Sequence, residues 1–331
     1  MIADRFPDIS NICIVGGAGF IGSHFVHRLL DEASTESVTV FDNFSSGRQW
    51  HLDRHAGNGR LRIVRGDVCD FDRLVSAMTG IDTVIHLASN PDIARAAVEP
   101  AIDFDSGTIL THYVLEAMRL SGVTRIMYAS GSGIYGDLGV EEVDEDHGPL
   151  SPISTYGASK LAGEALISAY CHMFGLRGFV FRFGNVVGPN QTHGVGYDFL
   201  RRLSSDPGHL VILGDGRQSK SYIHVVDVVE AVLLAATRDS VPVATYNVAT
   251  GDYITVGEIA QMAVEVMGLD PERTEFEFSG TDRGWKGDVP VVRLSTNRVR
   301  ALGWINTMST REAMRASLES MLKDVHSGML T

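Results

Sequence analysis

The chain is short of cations, short of cysteine and without a long apolar run, and each shortage excludes a class of function. Only 28 Lys and Arg stand against 41 Asp and Glu, a formal net charge of −13 over 331 residues. Binding nucleic acid through its phosphates needs clustered Lys and Arg, and no such block occurs, so nucleic acid is not expected as a partner. The three cysteines, Cys13, Cys69 and Cys171, are odd in number and fit neither a disulfide framework nor a zinc motif. Free thiols in a reducing compartment are expected. Cys171 and His172 are adjacent and would diverge on a helix. His24 and His27 have helical spacing, but no nearby Cys or carboxylate completes a set, so no metal is expected. The most apolar stretch, Val225 to Ala236, is broken by Asp227 and Glu230, which argues against a membrane span. Met1 to Ser10 carries Asp4, Arg5, Pro7 and Asp8 and lacks the apolar core of a secretory leader. A cytoplasmic location is therefore expected. No low-complexity linker, internal repeat or heptad pattern stands out.

What remains is ordinary globular material, 44% hydrophobic and 21% charged, long enough for one large α/β unit with a smaller appendage. β-branched apolar runs predict strands at Asn11 to Val15, Val38 to Phe41, Leu61 to Arg65, Thr83 to Leu87, Arg125 to Ala129 and Gly178 to Arg182. Helical spacing predicts helices over Phe20 to Asp31, Thr108 to Leu120 and Tyr156 to Phe174. Strands alternating with helices imply a parallel sheet covered on both faces. After about Gly188, Pro and Gly punctuate shorter elements, with helices predicted at Val226 to Thr237, Val256 to Met267 and Thr310 to Lys323. The expected division is a first domain over 1–188 and a smaller, partly interleaved lobe over 189–331.

The run Gly16 to Gly22 lies between the first strand and the first helix and contains Gly17, Gly19 and Gly22 in the pattern G-x-G-x-x-G. One glycine permits the tight turn and one lets the backbone approach a pyrophosphate. The last lets helix and strand pack closely, so that the helix N-terminus faces the phosphates. The fold expected is thus a Rossmann-type, doubly wound α/β sheet with a smaller α/β C-terminal lobe. Its cofactor-binding candidates are Gly16, Gly19, Phe20, Ile21 and Gly22. Asp42 ends the second strand, 20 residues after Gly22. A carboxylate there accepts hydrogen bonds from a ribose and repels a 2′-phosphate, which favours NAD over NADP, although Arg48 follows nearby. Asn43, Asp67, Val68, Leu87, Ala88 and Ser89, at or just beyond strand carboxyl ends, complete the set.

Tyr156 and Lys160 sit at i and i+4 on one helix face. A phenol has a pKa near about 10 and is a poor base at neutral pH. A neighbouring ammonium and a positive nicotinamide ring would stabilise the phenolate, so that Tyr156 could take the proton of a sugar hydroxyl as hydride leaves the same carbon.

These features together resemble the extended short-chain dehydrogenases that act on nucleotide sugars, and among them most closely the UDP-glucose (UDP-galactose) 4-epimerases. The resemblance covers nearly the whole chain. It runs through Gly16 to Gly22, Phe41 to Arg48, Gly66 to Val68, His86 to Ser89, Ile134 to Gly136 and Tyr156 to Lys160. It continues through Arg182 to Asn185, Ser221 to His224 with Asp227, Tyr246 to Val248, Arg283 to Pro290 and Leu302 to Trp304. It implies an isomerase that keeps NAD bound and a homodimer built from the helices near Thr108 to Leu120 and Tyr156 to Phe174. It also implies that Asn185 and Tyr222 contact the nucleotide diphosphate and that Asp288 contacts the ribose. Lys220 would grip the diphosphate where many relatives have Arg, keeping the charge but losing the bidentate fork. Arg283 or Lys286 would supply a second cation.

The chain departs from that pattern in the loop after the fifth strand. The hydroxyl expected four residues before Tyr135 falls on Gly131, flanked by Ser130 and Ser132. Either serine could bridge sugar and Tyr156, with Ser132 favoured, or both could only satisfy turn backbone. Relatives that dehydrate the sugar carry an acid immediately after this hydroxyl, and here Gly133 follows Ser132, which argues against dehydration and decarboxylation. Gly107 stands where the family often has Asn. The alternatives to 4-epimerisation are a one-way nucleotide-sugar oxidase or ketoreductase, and a non-catalytic module that senses NAD or a nucleotide.

Overall fold

The structure, a computed structural model, describes residues 9–90, 92–238 and 241–326, so most of the stretch read for a leader lies outside the described residues. The chain divides into two compact units. Unit 1 comprises Met1–Ile134, Thr155–Arg182 and Val229–Tyr246. Unit 2 comprises Tyr135–Ser154, Phe183–Val228 and Asn247–Thr331. The two units interleave along the chain.

Unit 1 is built on a seven-stranded sheet. In chain order the strands are β1 (Asn11–Val15), β2 (Ser37–Asp42), β3 (Leu61–Arg65), β4 (Thr83–His86), β5 (Arg125–Gly131), β6 (Arg177–Phe183) and β7 (Val243–Val248), and in space they run β7-β6-β5-β4-β1-β2-β3. The pairs β1–β2, β1–β4, β2–β3 and β4–β5 are parallel. This is the Rossmann-type order, in which the winding reverses between β1 and β4 and ligands bind at the carboxyl ends beside that point. The inner strands are buried along their length because helices cover both faces, which is why they read as continuous apolar runs. The edge strand β3, Leu-Arg-Ile-Val-Arg, is largely open, with two arginines along it. The seventh strand, β7, was not expected; it follows the helix Val225–Arg238 and brings late chain back into the early sheet.

The helices that position the site are α1 (Phe20–Leu30), α2 (Phe71–Ala77), α3 (Leu110–Ser121) and α4 (Thr155–Phe174). α3 differs from expectation at its start. A short helical turn, Ala101–Asp103, and a π-helical segment, Phe104–Ile109, precede it. Gly107 lets that wider turn lie on α4, since a Cβ there would come within 2.2 Å of the Ser159 hydroxyl oxygen. The core under the sheet includes Val15, Val84, Leu115, Met118, Ile126 and Ile167. Cys13 and Cys171 belong to it, and burial pushes their thiols up to about 12 and about 11, so they serve packing.

Unit 2 has its own core, including Phe199, Leu203, Ile259, Ala263, Met314 and Leu318, from the helices Val195–Ser205, Val256–Val266 and Thr310–His326. The second of these starts with a full capping box between Thr255 and Glu258. Two short parallel strands, Asn185–Val187 and Tyr222–His224, pair in the register Tyr222 to Asn185. Among the described residues no helix is long and apolar enough to cross a membrane.

Candidate active site

At the carboxyl end of β1 the chain turns through Gly16, whose φ of +87° suits glycine. A Cβ on Gly16 would meet the Ala88 backbone nitrogen at 2.8 Å, and one on Gly22 the Gly16 carbonyl oxygen at 2.3 Å. The loop is thus pressed both against the end of β4 and under α1. The N-cap of α1 is Gly19, which supplies no side-chain cap, so the first-turn amides of Phe20, Ile21 and Gly22 are left for a ligand. A bare helix N-terminus behind a loop too tight for side chains fits a pyrophosphate.

Asp42 closes the loop from β2. Its Oδ2 accepts from the Ala18 amide at 2.9 Å and its Oδ1 from the Phe44 amide at 2.8 Å. Burial raises this carboxyl above its ordinary range, and the two amide bonds oppose that rise. Arg48 is exposed, and its Nη1 donates to the carbonyls of Ser46 and Gly47. Farther out, Asn43 donates to Asp67 at 3.1 Å, and Asp67 also accepts from the Cys69 amide. These bonds hold the Asp67 carboxyl below its ordinary range. Val68 is buried beside them. The amides of Leu87 and Ala88 both donate to the Val15 carbonyl, which keeps the ends of β1 and β4 together. The residues present fit NAD.

Helix α4 brings Tyr156 and Lys160 beside that end of the sheet. Lys160 is buried and donates to the Ala129 carbonyl at 2.7 Å; its ammonium lies 5.6 Å from the centre of the Tyr156 ring and 5.1 Å from that of Tyr128. Burial lowers Lys160 to about 8, against the raising influence of Glu164 and Asp103. Burial pushes the Tyr156 phenol up to about 12; the Ser89 side chain lowers it and the charge of Asp103 raises it. The ammonium expected to draw the phenol down donates to the Ala129 carbonyl from beside the Tyr156 ring, and the Ser89 side chain lies next to the phenol.

The two serines of the β5 loop separate. Ser130 is buried and donates to Glu164 Oε1 at 2.5 Å, and Glu164 also receives two hydrogen bonds from Arg182. That hydroxyl holds β5 on α4. Ser132 begins the short turn Ser132–Ile134 and is half-buried. Around Gly131 there is open space where a Cβ would stand.

In unit 2 the five residues assigned to the nucleotide come together. Tyr222 stands in register with Asn185; burial pushes its phenol up to about 12, against the lowering influence of the Asn185 side chain. Lys220 pairs with Asp288 at 2.6 Å. The other Asp288 oxygen accepts from the Gly284 amide at 3.2 Å. Arg283 donates to the Asp288 backbone carbonyl and to Asp137, both at 2.6 Å. Arg283 is thus committed within its own unit, while Lys286 is exposed.

Sequence reasoning did not find Asp103, Asn90, Thr155 or Glu164. Glu164 was the most accessible of these, being one turn beyond Lys160 on the same face. Asp103 left only a faint signal, an acid inside the apolar stretch Ala101 to Phe104.

Residues 12–249 match the NAD dependent epimerase/dehydratase family. The chain belongs to that family. It is 30% identical over 317 residues to the UDP-glucose 4-epimerase of Mycolicibacterium smegmatis, covering 92% of this chain and 96% of that one. A solved UDP-galactose 4-epimerase superposes with a TM-score of 0.84 at 36% identity, over 95% of this chain and 99% of that chain. The dTDP-glucose 4,6-dehydratase DesIV of Streptomyces venezuelae, solved with NAD, superposes with a TM-score of 0.87 at 25% identity, over 96% of this chain and 98% of that one. The cofactor of the family is NAD, and both epimerases and dehydratases stand among the relatives.

Proposed function

We propose that this chain is an NAD-dependent 4-epimerase of a nucleotide sugar, of the UDP-glucose/UDP-galactose type. The observation that carries the choice over dehydration is the loop after β5, where Ser132 is followed by Gly133 and no acid is present to expel a hydroxyl from carbon 6. The likeness to a UDP-galactose 4-epimerase at 36% identity supports the same choice.

Gly16, Gly19, Phe20, Ile21, Gly22 and Asp42 would hold the pyrophosphate and adenosine ribose of NAD, with Asn43, Asp67, Val68, Leu87, Ala88 and Ser89 along the rest of its length. When bound, NAD supplies a reversible hydride acceptor. Tyr156 takes the proton from the hydroxyl at carbon 4 as the sugar becomes a 4-ketone, and gives it back when the opposite face has been presented. Lys160, beside that ring, favours its anionic form. Ser132 is the hydroxyl we assign to the sugar, since Ser130 is held by Glu164. Asn185, Tyr222, Lys220, Asp288 and Arg283 hold the nucleotide. Placing most of the binding energy there leaves the hexose free to turn.

The test is NMR of purified protein with UDP-glucose, UDP-N-acetylglucosamine, UDP-glucuronate and GDP-mannose in turn, with no cofactor added. The 4-epimer of one of them is expected. Turnover only with added NAD or NADH would replace epimerisation by one-way oxidation or ketone reduction, and cofactor binding without any turnover would leave a sensing module. We also propose a homodimer through α3 and α4. Leu120, Met173 and Phe174 are exposed on these helices at 53%, 72% and 45%. A monomer by light scattering would refute it.

A further inference from the structure

Asp103 has no part in the chemistry above, yet it is 1% exposed and both of its oxygens are engaged. Oδ1 accepts from Asn90 Nδ2 at 2.8 Å, and Oδ2 accepts from Thr155 Oγ1 at 2.7 Å. Asn90, 3% exposed, is itself fixed by Asp92, donating to its carbonyl and accepting from its amide at 2.9 Å each. Taking a carboxylate out of water is costly unless its partners are in place, so losing either the buried Asn90 or the exposed Thr155 arm is unfavourable. The identity of the partners is the telling point. Asn90 follows Ser89 in the loop after β4, and Thr155 precedes Tyr156 at the start of α4. The Ser89 side chain lies next to the Tyr156 phenol and lowers it. One buried anion thus ties two distant segments together at the residues adjoining the pair whose alignment proton transfer needs. An apolar residue at 103 could fill the space but would hold neither segment.

We propose that Asp103 is a positioning residue, which through Asn90 and Thr155 keeps Ser89 and the Tyr156 hydroxyl in register. The proposal rests on the reading of Tyr156 as the base. It concerns geometry first, but the carboxylate's charge gives a second handle on it. Around the phenol and the ammonium stand Asp103, Lys160 and Glu164 of α4, His86 of β4 and Tyr128 of β5, with Arg182 of β6 bound to Glu164. Among them Asp103 opposes the phenolate and supports the ammonium.

Two substitutions separate shape from charge. Asp103→Asn keeps the shape and one acceptor oxygen, whereas Asp103→Leu cuts both arms. In steady-state kinetics Asp103→Leu is expected to lower kcat by about tenfold or more at unchanged KM, because misplacement of a catalytic group costs rate rather than binding. Asp103→Asn is expected to restore most of that loss. A second readout needs no sugar: carbon NMR of ring-labelled tyrosine in the NAD-loaded protein, with Tyr156→Phe to assign the signal. The Tyr156 midpoint is expected to fall by about one pH unit in Asp103→Asn, since a negative neighbour no longer opposes the phenolate. If the wild type turns over no nucleotide sugar, the epimerase reading falls while this titration still decides the role of Asp103. The proposal is overturned by an unmoved midpoint, by kcat of Asp103→Leu within about twofold of wild type, or by a loss confined to KM. Should Asp103→Leu fail to fold, Thr155→Val cuts only the arm to α4 and must lower kcat alone, to a smaller degree; wild-type kcat there overturns the proposal.

Discussion

Each unit sets a tyrosine beside a polar side chain and an aspartate, and the two differ in their cation and in their exposure. Tyr156 of unit 1 has Ser89 and Asp103; Tyr222 of unit 2 has Asn185 and Asp288. Burial drives both phenols up to about 12, opposed by the polar side chain and assisted by the aspartate. The cations beside them are not equivalent. Lys220 is paired with Asp288 at 2.6 Å, so its charge is cancelled within the cluster. Lys160 donates to a neutral carbonyl, with Glu164 and Asp103 acting on it by charge alone and not as ion-pair partners. Tyr222 is 5% exposed whereas Tyr156 is only half-buried. A displaced pKa therefore does not mark the base by itself. What sets Tyr156 apart is a cation not locked in an ion pair and a side chain that is only half-buried.

The sharpest way to break this comparison is to remove each hydroxyl. Tyr156→Phe is expected to lower kcat by about 10²–10⁴-fold, the usual contribution of a general base. Tyr222→Phe is expected to raise KM with kcat retained, because its hydroxyl serves binding. Steady-state kinetics of the two variants decides the matter, and equal losses in kcat would mean that both tyrosines take part in the chemistry.

The same contrast explains what could be read from the chain in advance. The glycine run and the Tyr156–Lys160 spacing are local, fixed by one turn and one helix, and the inner strands are short apolar runs because a parallel sheet buries both faces. Strand β7, with the sequence Val-Ala-Thr-Tyr-Asn-Val, carries a polar residue at its centre and another near its end, and it joins the sheet long after the others. The bond from Thr155 to Asp103 spans 52 residues, and that from Arg283 to Asp137 spans 146. No period in a sequence reports such pairs. The π-helical turn at Phe104–Ile109 was hidden for a related reason: it depends on Gly107 meeting Ser159 of another helix.

Backbone-built and side-chain-built parts of unit 1 should also respond differently to an added methyl. At Gly22 a Cβ would run into the Gly16 carbonyl oxygen at 2.3 Å, and rigid backbone cannot yield as a side chain can. Gly22→Ala is expected to cost about 1–3 kcal/mol of stability and to weaken NAD binding, as overpacking does. Gly131 has open space at the same point, so Gly131→Ser should leave the melting temperature unchanged and place a second hydroxyl beside Ser132. Calorimetry and NAD titration of both variants test the pair. Retained cofactor affinity in Gly22→Ala would show that the loop is less tightly set than its geometry requires.

The smallest expected effect concerns acid. Unit 1 holds His27 and His51, each lowered to about 4, His86 lowered to about 3, and His55, lowered as well, all chiefly by burial. In unit 2 only His224 is resolved as lowered among the described residues, again by burial. A base whose folded pKa is depressed contributes stability that is present above its unfolded value, near 6.5, and is lost as pH falls through the folded value. Between pH 6.5 and 4 unit 1 should therefore lose stability faster than unit 2. His51 sharpens the point, because its Nδ1 donates to the Ala18 carbonyl at 2.8 Å, so the imidazole that must stay neutral also braces the cofactor loop. Amide hydrogen exchange mapped along the chain at descending pH should show β1, α1 and β2 opening before the helices of the unit 2 core. His51→Asn, which keeps a donor for Ala18 but cannot be charged, should flatten that pH dependence. Parallel loss of protection in both units, unaltered by His51→Asn, would mean that acid acts through carboxylates shared by the whole chain.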